Sequence, residues 1–372
     1  MIQSEVNEIK KTLKFTDCSI QKLTGCYVDT EKNMHIMTNS QFLCLPEEEQ
    51  HKYFELIKRG LSGKIGKNLL NITLDGEASK DKKKKLQEMV ACELKDEGIM
   101  EDYFTAIRDN YSYVDNYYIM VIYGVYDVPG KTSDGITMDD ASDEIYNFTL
   151  TLLCPMKPSK AGLTYNVKDN TLENAARTVL LEKPLNAFLY PAFTDRHMDI
   201  HNLLFYTKDA NKIDEAFVDG LFGQRAPVTI KQQSESFTRA VSDIPTLTFD
   251  NAKNICTSVC ERQIEAKEDE YKATMTKSEV VNILEASGLK EEDLNNFERV
   301  IEDNISEHGE LVTSNIIERN NKLTVSTGVT EIVMPIDCTG GIEVQKINGK
   351  NCLVIEINDE LTVNGMKINK FQ

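Results

Sequence analysis

The chain contains no tryptophan and none of the short motifs by which common enzyme classes are recognised. Without tryptophan, one common anchor for sugars and exposed nucleic-acid bases is missing. The sequence has no Gly-x-Ser-x-Gly, no His-Glu-x-x-His and no Gly-x-Gly-x-x-Gly, the motifs of serine hydrolases, zinc proteases and dinucleotide-binding folds. Motif evidence therefore assigns the chain to none of these classes.

Paired cysteines and long apolar runs are also missing. The 9 cysteines are odd in number and scattered, with no Cys-x-x-Cys, which is unlike the disulfide framework of a secreted domain. No apolar run approaches the roughly 18 residues needed to cross a bilayer, and the polar, acidic first residues do not resemble a signal peptide. These features predict a cytoplasmic protein that does not enter a membrane.

Basic residues are fewer than acidic residues. The chain has 42 Lys and Arg and 60 Asp and Glu, which gives a net charge of −18. Residues 230–372 contain 15 Lys and Arg and 25 Asp and Glu, a net of −10, and residues 1–229 contain the remaining 27 and 35, a net of −8. An acidic surface repels phosphate backbones. We therefore expect no general nucleic-acid binding, and a basic surface on any protein partner.

The chain changes its pattern twice. A length of 372 residues exceeds one ordinary core, so two or three domains are expected. Strand and helix patterns mix without a regular β-α-β repeat over residues 1–220, which predicts an α+β domain with a mainly antiparallel sheet and flanking helices. Residues 230–308 have the pattern of a helical segment, and residues 310–372 alternate with period two, as in a small C-terminal β module.

The residue patterns of four segments predict their secondary structure. Tyr117–Tyr126 is nearly all apolar, which predicts a strand buried on both faces. Glu144–Cys154 alternates, which predicts a strand buried on one face. A short helix is predicted around Thr171–Leu181. Asn348-Gly349 lies between two alternating runs and predicts a β-hairpin.

Five phrases resemble a known family. They are Gly25-Cys-Tyr-Val-Asp29, Leu61-Ser-Gly-Lys-Ile-Gly-Lys-Asn-Leu-Leu70, Tyr126-Asp-Val-Pro-Gly-Lys-Thr-Ser-Asp-Gly135, Met138-Asp-Asp-Ala-Ser-Asp-Glu144 and Phe188-Leu-Tyr-Pro-Ala-Phe193. They are similar to an uncharacterised family of clostridia-like Gram-positive bacteria, catalogued only as a domain of unknown function. The resemblance is strongest over residues 1–220. It implies a bacterial, cytoplasmic protein and supplies no activity, ligand or site residue.

The best candidate for a chemical site combines the loop Asp127–Asp140 with the segment Asp195–His201. Carboxylates and imidazoles are common ligands of divalent metals. The candidate ligands are Asp127, Asp134, Asp199 and His201. The strand Tyr117–Tyr126 ends at the loop and a strand Ile200–Thr207 begins after the segment, so an antiparallel sheet should bring both to one edge. The alternative is that these residues are turn, cap and rim residues.

Two classes of function remain open. The first is a cytosolic, non-enzymatic binding or regulatory protein with an acidic surface. The second is a metal-dependent hydrolase of phosphoesters that uses the candidate ligands and a divalent metal. The loop Gly124–Thr132 has five residues between its glycines where a nucleotide-binding P-loop has about four, so no cofactor-binding residue is assigned.

Overall fold

The computed structural model describes residues 1–131, 137–159, 162–174, 178–270, 274–290, 292–294, 297, 311–317, 322–357, 360–363 and 366–368. The chain divides into two compact units, Met1–Thr229 and Ile230–Gln372. Among the described residues, no helix is long and apolar enough to cross a membrane.

The first unit mixes helices with strands. Its helices are α1 (Gln3–Lys11), α2 (Glu47–Gly60), α3 (Glu77–Ala91), α4 (Glu97–Asn110) and α5 (Glu215–Phe222), with a 3-10 turn at Phe42–Cys44. Its strands are β1 (Ile20–Val28), β2 (Met34–Gln41), β3 (Leu69–Thr73), β4 (Tyr117–Lys131), β5 (Thr137–Pro158), β6 (Leu163–Asn166), β7 (Thr171–Asn174), β8 (Val179–Leu181), β9 (Asn186–Tyr190), β10 (Ala192–Thr194), β11 (His197–Asp199) and β12 (Asn202–Thr207).

One antiparallel sheet organises this unit. The strand order is β2-β1-β4-β5-β9-β12-β3, and β8 pairs with the end of β5. β4 and β5 form a long hairpin in which Val128 lies opposite Glu144. β4 and β12 run in opposite directions with two strands between them. The C-terminal end of β4 and the N-terminal end of β12 therefore lie on the same side of the sheet, where the strands end.

A hydrophobic core lies on each face of the sheet, because the side chains of its central strands alternate between two clusters. Leu203 and Phe205 of β12 belong to the cluster that includes residues of α3, α4 and α5. Leu204 lies between these two residues and Tyr206 follows them. Both belong to the cluster that includes residues of α1 and α2. The sheet is therefore covered by helices on both faces.

β5 extends beyond the part of it that pairs with β9. We name the segment that follows β5, residues 162–181, the arm. The arm consists of the hairpin β6–β7 followed by β8. β8 joins it to the main sheet, since Val179 pairs with Pro158 and Leu181 with Met156 of β5. The hairpin β6–β7 pairs with no other described strand.

The second unit combines helices with small hairpins. Its helices are α6 (Ile230–Ser242), α7 (Phe249–Glu265), α8 (Lys277–Ala286) and α9 (Thr313–Ile316), with a 3-10 segment at Ile336–Gly341. Its strands are β13 (Thr274–Met275), β14 (Leu311–Val312), β15 (Lys322–Ser326), β16 (Glu331–Pro335), β17 (Ile342–Ile347), β18 (Lys350–Ile355), β19 (Thr362–Val363) and β20 (Met366–Lys367). Cys260 of α7 packs in one cluster with Leu323, Ile336 and Ile342.

The predicted fold class, α+β with a mainly antiparallel sheet and flanking helices, is confirmed. The helix predicted around Thr171–Leu181 is wrong, because β7 and β8 occupy that range. The hairpin predicted at Asn348-Gly349 is confirmed, with Ile347 opposite Lys350. The division at residues 220–230 and 308–310 into three parts stays a prediction.

Candidate functional site

The segment Asp195–His201 begins with a tight hairpin. β10 and β11 pair with Thr194 opposite His197, so only two residues form the turn. Asp195 and Arg196 both have positive φ, 51° and 64°, as a type I′ turn requires of its two central residues. The turn directs the Arg196 and His197 side chains toward α1 and the β4–β5 hairpin.

We name as the polar cluster the polar side chains that belong to the β10–β11 hairpin or contact it: Glu5, Glu8, Tyr126, Glu144, Arg196 and His197. Arg196 contacts two neighbouring elements, α1 and β4. Its guanidinium Nη2 donates to the Pro129 carbonyl at 2.7 Å and to Glu8 Oε1 at 3.1 Å. Tyr126 donates its hydroxyl hydrogen to the same Glu8 oxygen at 3.0 Å. Burial and the Glu8 carboxylate raise the pKa of Tyr126 to about 12, so the phenol stays a neutral donor at physiological pH.

Glu5, which like Glu8 belongs to α1, also contacts the hairpin turn. Its carboxylate accepts from the Asp195 backbone N–H at 2.6 Å and from the Ile2 N–H at 2.7 Å, and the residue is 6% exposed. Burial raises the pKa of Glu5, while the hydrogen bond from Ile2 and the one from Asp195 lower it. The Met1 ammonium lowers the pKa of Glu5 as well. Two backbone donors and a nearby cation thus compensate the buried carboxylate for its lost water.

Glu144 and His197 form the outer part of the polar cluster. Glu144 Oε2 lies 2.6 Å from His197 Nδ1, and Glu144 Oε1 accepts from the Met198 N–H at 3.1 Å. The hydrogen bond with His197 lowers the pKa of Glu144. Of the two segments predicted to be close, Asp195–His201 contacts the loop Asp127–Asp140 at Pro129 through Arg196, whereas His197 contacts Glu144, which lies beyond that loop. The shared site stays a prediction.

The candidate metal ligands occupy other places. Asp127 is exposed on β4, between Tyr126 and Val128, which belong to the core on the α1 and α2 face. Because side chains alternate along a strand, Asp127 points to the opposite face. Asp134 lies outside the described residues.

Asp199 and His201 contact other side chains and backbone groups of the first unit. Asp199 accepts from the His201 backbone N–H at 3.0 Å and from Asn202 Nδ2 at 2.7 Å. His201 Nδ1 lies 3.1 Å from Lys83 Nζ and 3.8 Å from Asp75 Oδ1. Across the described part of the chain, no three His, Cys, Asp or Glu side chains form a group that could hold a metal ion. The metal site stays a prediction.

The arm has an apolar face that the described residues leave uncovered. In the hairpin β6–β7, Tyr165 lies opposite Leu172 and Leu163 lies opposite Asn174. Residues opposite each other, and residues two apart, share a face. Leu163, Tyr165 and Leu172 therefore form one apolar face, and they are 67%, 55% and 66% exposed.

The opposite face of the hairpin is polar. It contains Thr164, opposite Glu173, and Thr171. A hairpin with one apolar and one polar face normally covers the apolar face with a core, and a lone two-stranded hairpin is marginally stable in water. The apolar face of the arm, formed by Leu163, Tyr165 and Leu172, is thus the strongest candidate for a binding surface in the first unit.

The sequence was also compared with known proteins. Residues 1–366 match the family model DUF4317, described as a domain of unknown function. The chain belongs to the DUF4317 family. No curated protein and no solved structure gives a significant match. The description of DUF4317 names no activity, so function has to be argued from the geometry.

Within this DUF4317 chain, sequence reasoning missed both Arg196 and the arm. Arg196 contacts Glu8, which is 188 positions away in the sequence. No short-range sequence pattern predicts such a contact. The arm did leave a signal, because Leu163 and Tyr165 alternate with polar residues before a turn at Asp169-Asn170 and a second short run begins at Leu172. Those features are typical of a β-hairpin.

Proposed function

We propose that the chain is a cytoplasmic, non-enzymatic binding protein whose contact surface is the apolar face of the arm. One observation supports this more than any other: Leu163, Tyr165 and Leu172 are more than half exposed on a single face. Together they expose apolar surface on the order of a few hundred Å², which is about the size of the largest apolar patch on a typical monomeric protein, a patch that is often functional.

The polar cluster supports the same proposal. Its members bind one another and the backbone, as Glu8 does with Arg196 and Tyr126, and Glu5 with the Asp195 N–H. Such contacts fix α1 and the β10–β11 hairpin to the sheet. A catalytic interpretation requires groups directed at a substrate, whereas these groups are directed at each other.

The net charge of −18 favours a partner with a basic contact surface. A surface with net negative charge repels polyanions and speeds the approach of basic surfaces. We therefore expect a protein partner with a basic segment, and neither nucleic acid nor a membrane.

A site-specific crosslinking experiment tests the role of the arm. A benzophenone side chain replaces Tyr165 on the apolar face and, in a matched variant, Thr164 on the polar face of the same strand. Both residues are exposed. After irradiation in cells that make the chain, we expect an adduct from position 165 alone, and its loss when Leu172→Lys is added. No adduct, or equal adducts from both positions, would contradict a binding role for this face.

A further inference from the structure

The turn between β1 and β2 places the ammonium group of Lys32 against three tyrosines. Residues 29–33 join the two strands, and Lys32 has a positive φ of 65° there. Its Nζ donates to the Tyr111 carbonyl at 3.0 Å and to the Tyr113 carbonyl at 3.3 Å, and it lies 5.3 Å from the centroid of the Tyr117 ring. These partners, all within the described part of the chain, are neutral groups.

The three tyrosine rings pack on one another. Tyr111 and Tyr113 are stacked, with centroids 6.0 Å apart and planes 14° apart. The Tyr117 ring lies edge-on to both, 5.2 Å from Tyr111 and 6.1 Å from Tyr113. Tyr117 is 1% exposed, and its hydroxyl has no hydrogen-bond partner among the described residues. What this tyrosine offers the ammonium is therefore its ring face.

Acidic side chains lie near this aromatic group. Burial raises the pKa of Tyr113, and the carboxylates of Asp115 and Glu182 raise it further. Arg108 is a second cation near the group, but it is itself paired with Asp109 at 2.7 Å. Carboxylates beside aromatic faces make the local potential negative, which favours a cation.

We propose that Tyr111, Tyr113 and Tyr117 form a binding site for a primary ammonium group from outside the chain, and that Lys32 fills this site until such a group displaces it. The two backbone carbonyls accept N–H hydrogen bonds and the ring face attracts the positive charge. The ammonium group belongs to the lysine side chain of a protein partner or to a free alkylamine. The site lies outside the arm and does not depend on it.

Lys32 can leave the site without a change in the sheet. Its neighbours Glu31 and Asn33 are exposed, and the turn has contacts of its own, because the Asp29 carboxylate accepts from both of their backbone N–H groups at 2.9 Å. A lysine has a flexible stem of four carbons, so rotation about its bonds moves the ammonium into water while the backbone stays in place. The internal lysine is thus a competitor that an external ammonium group replaces.

Two variants separate an open site from a filled one. Lys32→Gly removes the side chain and suits the positive φ, whereas Lys32→Met keeps a flexible neutral side chain to cover the Tyr117 ring. Both make the same change in net charge. Thermal unfolding of the full chain is followed by circular dichroism in n-butylammonium chloride up to about 50 mM, with sodium chloride holding the ionic strength constant, since a tethered lysine competes at an effective concentration in the millimolar range.

We expect n-butylammonium to raise the melting temperature of Lys32→Gly to a plateau, with a dissociation constant roughly tenfold lower than for the wild-type chain, in which Lys32 competes. Lys32→Met should show no such rise, because its side chain fills the site. Tetramethylammonium has the same charge but no N–H to donate to the two carbonyls, so it should bind Lys32→Gly at least about threefold more weakly.

The tripeptide acetyl-Gly-Lys-Gly-amide identifies the source of the ammonium group. Its binding to Lys32→Gly assigns the site to lysine side chains, and binding of n-butylammonium alone assigns it to free amines. Equal responses of Lys32→Gly and Lys32→Met, or no response of a Lys32→Gly chain that unfolds cooperatively, would overturn the site. Equal dissociation constants for the wild-type chain and Lys32→Gly would overturn the competition by Lys32.

The wild-type chain provides a test that needs no variant. With ¹⁵N-labelled lysine, the Lys32 ammonium should give an NMR signal protected from exchange with water, because its hydrogens are bound to two carbonyls. Addition of n-butylammonium should abolish this protection. A signal that stays protected at every amine concentration would show that Lys32 does not leave the site.

Discussion

The Arg196 guanidinium Nη2 lies 3.1 Å from Glu8 Oε1, and the two residues are 188 positions apart in the sequence. The contact joins the turn of the β10–β11 hairpin to the first helix. The two side chains are 17% and 24% exposed, so water screens the pair less than it screens a surface pair. Arg196 also donates to the Pro129 carbonyl at 2.7 Å, which makes it the connection between three separate elements.

Replacing Arg196 should therefore destabilise the first unit. We expect Arg196→Met to lower the free energy of unfolding by about 2 kcal/mol, since Glu8 and the Pro129 carbonyl lose a charged donor while partly buried. Urea denaturation measures the change. Lys52→Met is the matched control: Lys52 pairs with Glu48 at 2.8 Å, but the two side chains are 70% and 85% exposed, so no measurable loss is expected. Equal losses would refute a special role for Arg196.

Glu144 should make stability depend on pH. The hydrogen bond with His197 lowers the pKa of Glu144 in the folded chain from its ordinary value of 4.5. As the pH falls, the unfolded chain takes up this proton first, so the stabilisation is complete above about pH 4.5 and is lost as the pH falls through the lower, folded pKa. Glu144→Gln removes the titrating group.

The measurement is the difference in free energy of unfolding between the wild-type chain and Glu144→Gln, by urea denaturation from pH 7 to pH 3. This difference should be largest at pH 7 and should shrink below about pH 4.5. Glu48 is a control, because Lys52 lowers the pKa of its carboxyl while Glu48 is fully exposed, so Glu48→Gln should change little. A difference that grows toward low pH would contradict the assigned direction.

Much of the fold follows from local pattern. Tyr117–Tyr126 was predicted as a strand buried on both faces, and in the structure Ile119 and Val121 lie in one core while Met120 and Ile122 lie in the other. That outcome follows from an uninterrupted apolar run, which only a strand covered on both sides can bury. Asn348-Gly349 likewise forms the turn between β17 and β18, because both residues adopt positive φ.

The misses have physical reasons. Leu172, Val179 and Leu180 are spaced as on one face of a helix, but pairing with β5 makes the last two a strand. Asp199 and His201 alternate as metal ligands could, yet the first accepts from Asn202 and from the backbone of the second. A short window of sequence does not reveal which distant strands pair. Nor does it reveal side-chain partners 50 or more positions apart, such as Glu144 and His197.

Gly223 should be hard to replace. It ends α5 with φ 65°, and a Cβ there would lie 2.4 Å from the Ala78 carbonyl oxygen. Gly223→Ala adds left-handed backbone strain to a clash with the backbone of α3, and we expect a loss of about 3 kcal/mol in the free energy of unfolding. Gly98→Ala is the control, because this substitution is expected to raise the free energy of unfolding.

Gly98 lies in the first turn of α4, where the nearest atom to an added Cβ is Asp96 Oδ1 at 3.4 Å. Alanine is the better helix former, so Gly98→Ala should gain about 0.5 kcal/mol. Thermal unfolding of both variants measures the two changes. A Gly223→Ala chain as stable as the wild type would show that the end of α5 can move away from α3.

The start of α8 depends on a capping box. Thr276 Oγ1 accepts from the Glu279 N–H, and Glu279 Oε2 accepts from the Thr276 N–H at 2.8 Å. We expect Thr276→Ala to cost about 1 kcal/mol and Thr276→Ser to cost little, because serine keeps the acceptor. Amide hydrogen exchange within α8 should become about fivefold faster in the alanine variant. Equal exchange in the two variants would show that the cap does not limit opening.

The three-part division can be tested by limited proteolysis. The sequence pattern changes near 221–232 and near 308–312, and turn residues collect at the first of these places. Because proteases cut where few contacts hold the backbone, the first stable fragments should end in one of these two ranges. Cuts inside the arm are expected as well and do not bear on the division.

The two cuts should differ in what they release. Cleavage near 221–232 separates the units Met1–Thr229 and Ile230–Gln372, each with clusters of its own. Cleavage near 308–312 leaves α7 packed on the C-terminal hairpins, since Cys260 shares a cluster with Leu323 and Ile342. The two pieces should therefore stay together in native mass spectrometry and separate in urea, because the buried apolar contact does not depend on the chain connection. Resistance at both ranges, with cutting inside 117–155 instead, would refute the division.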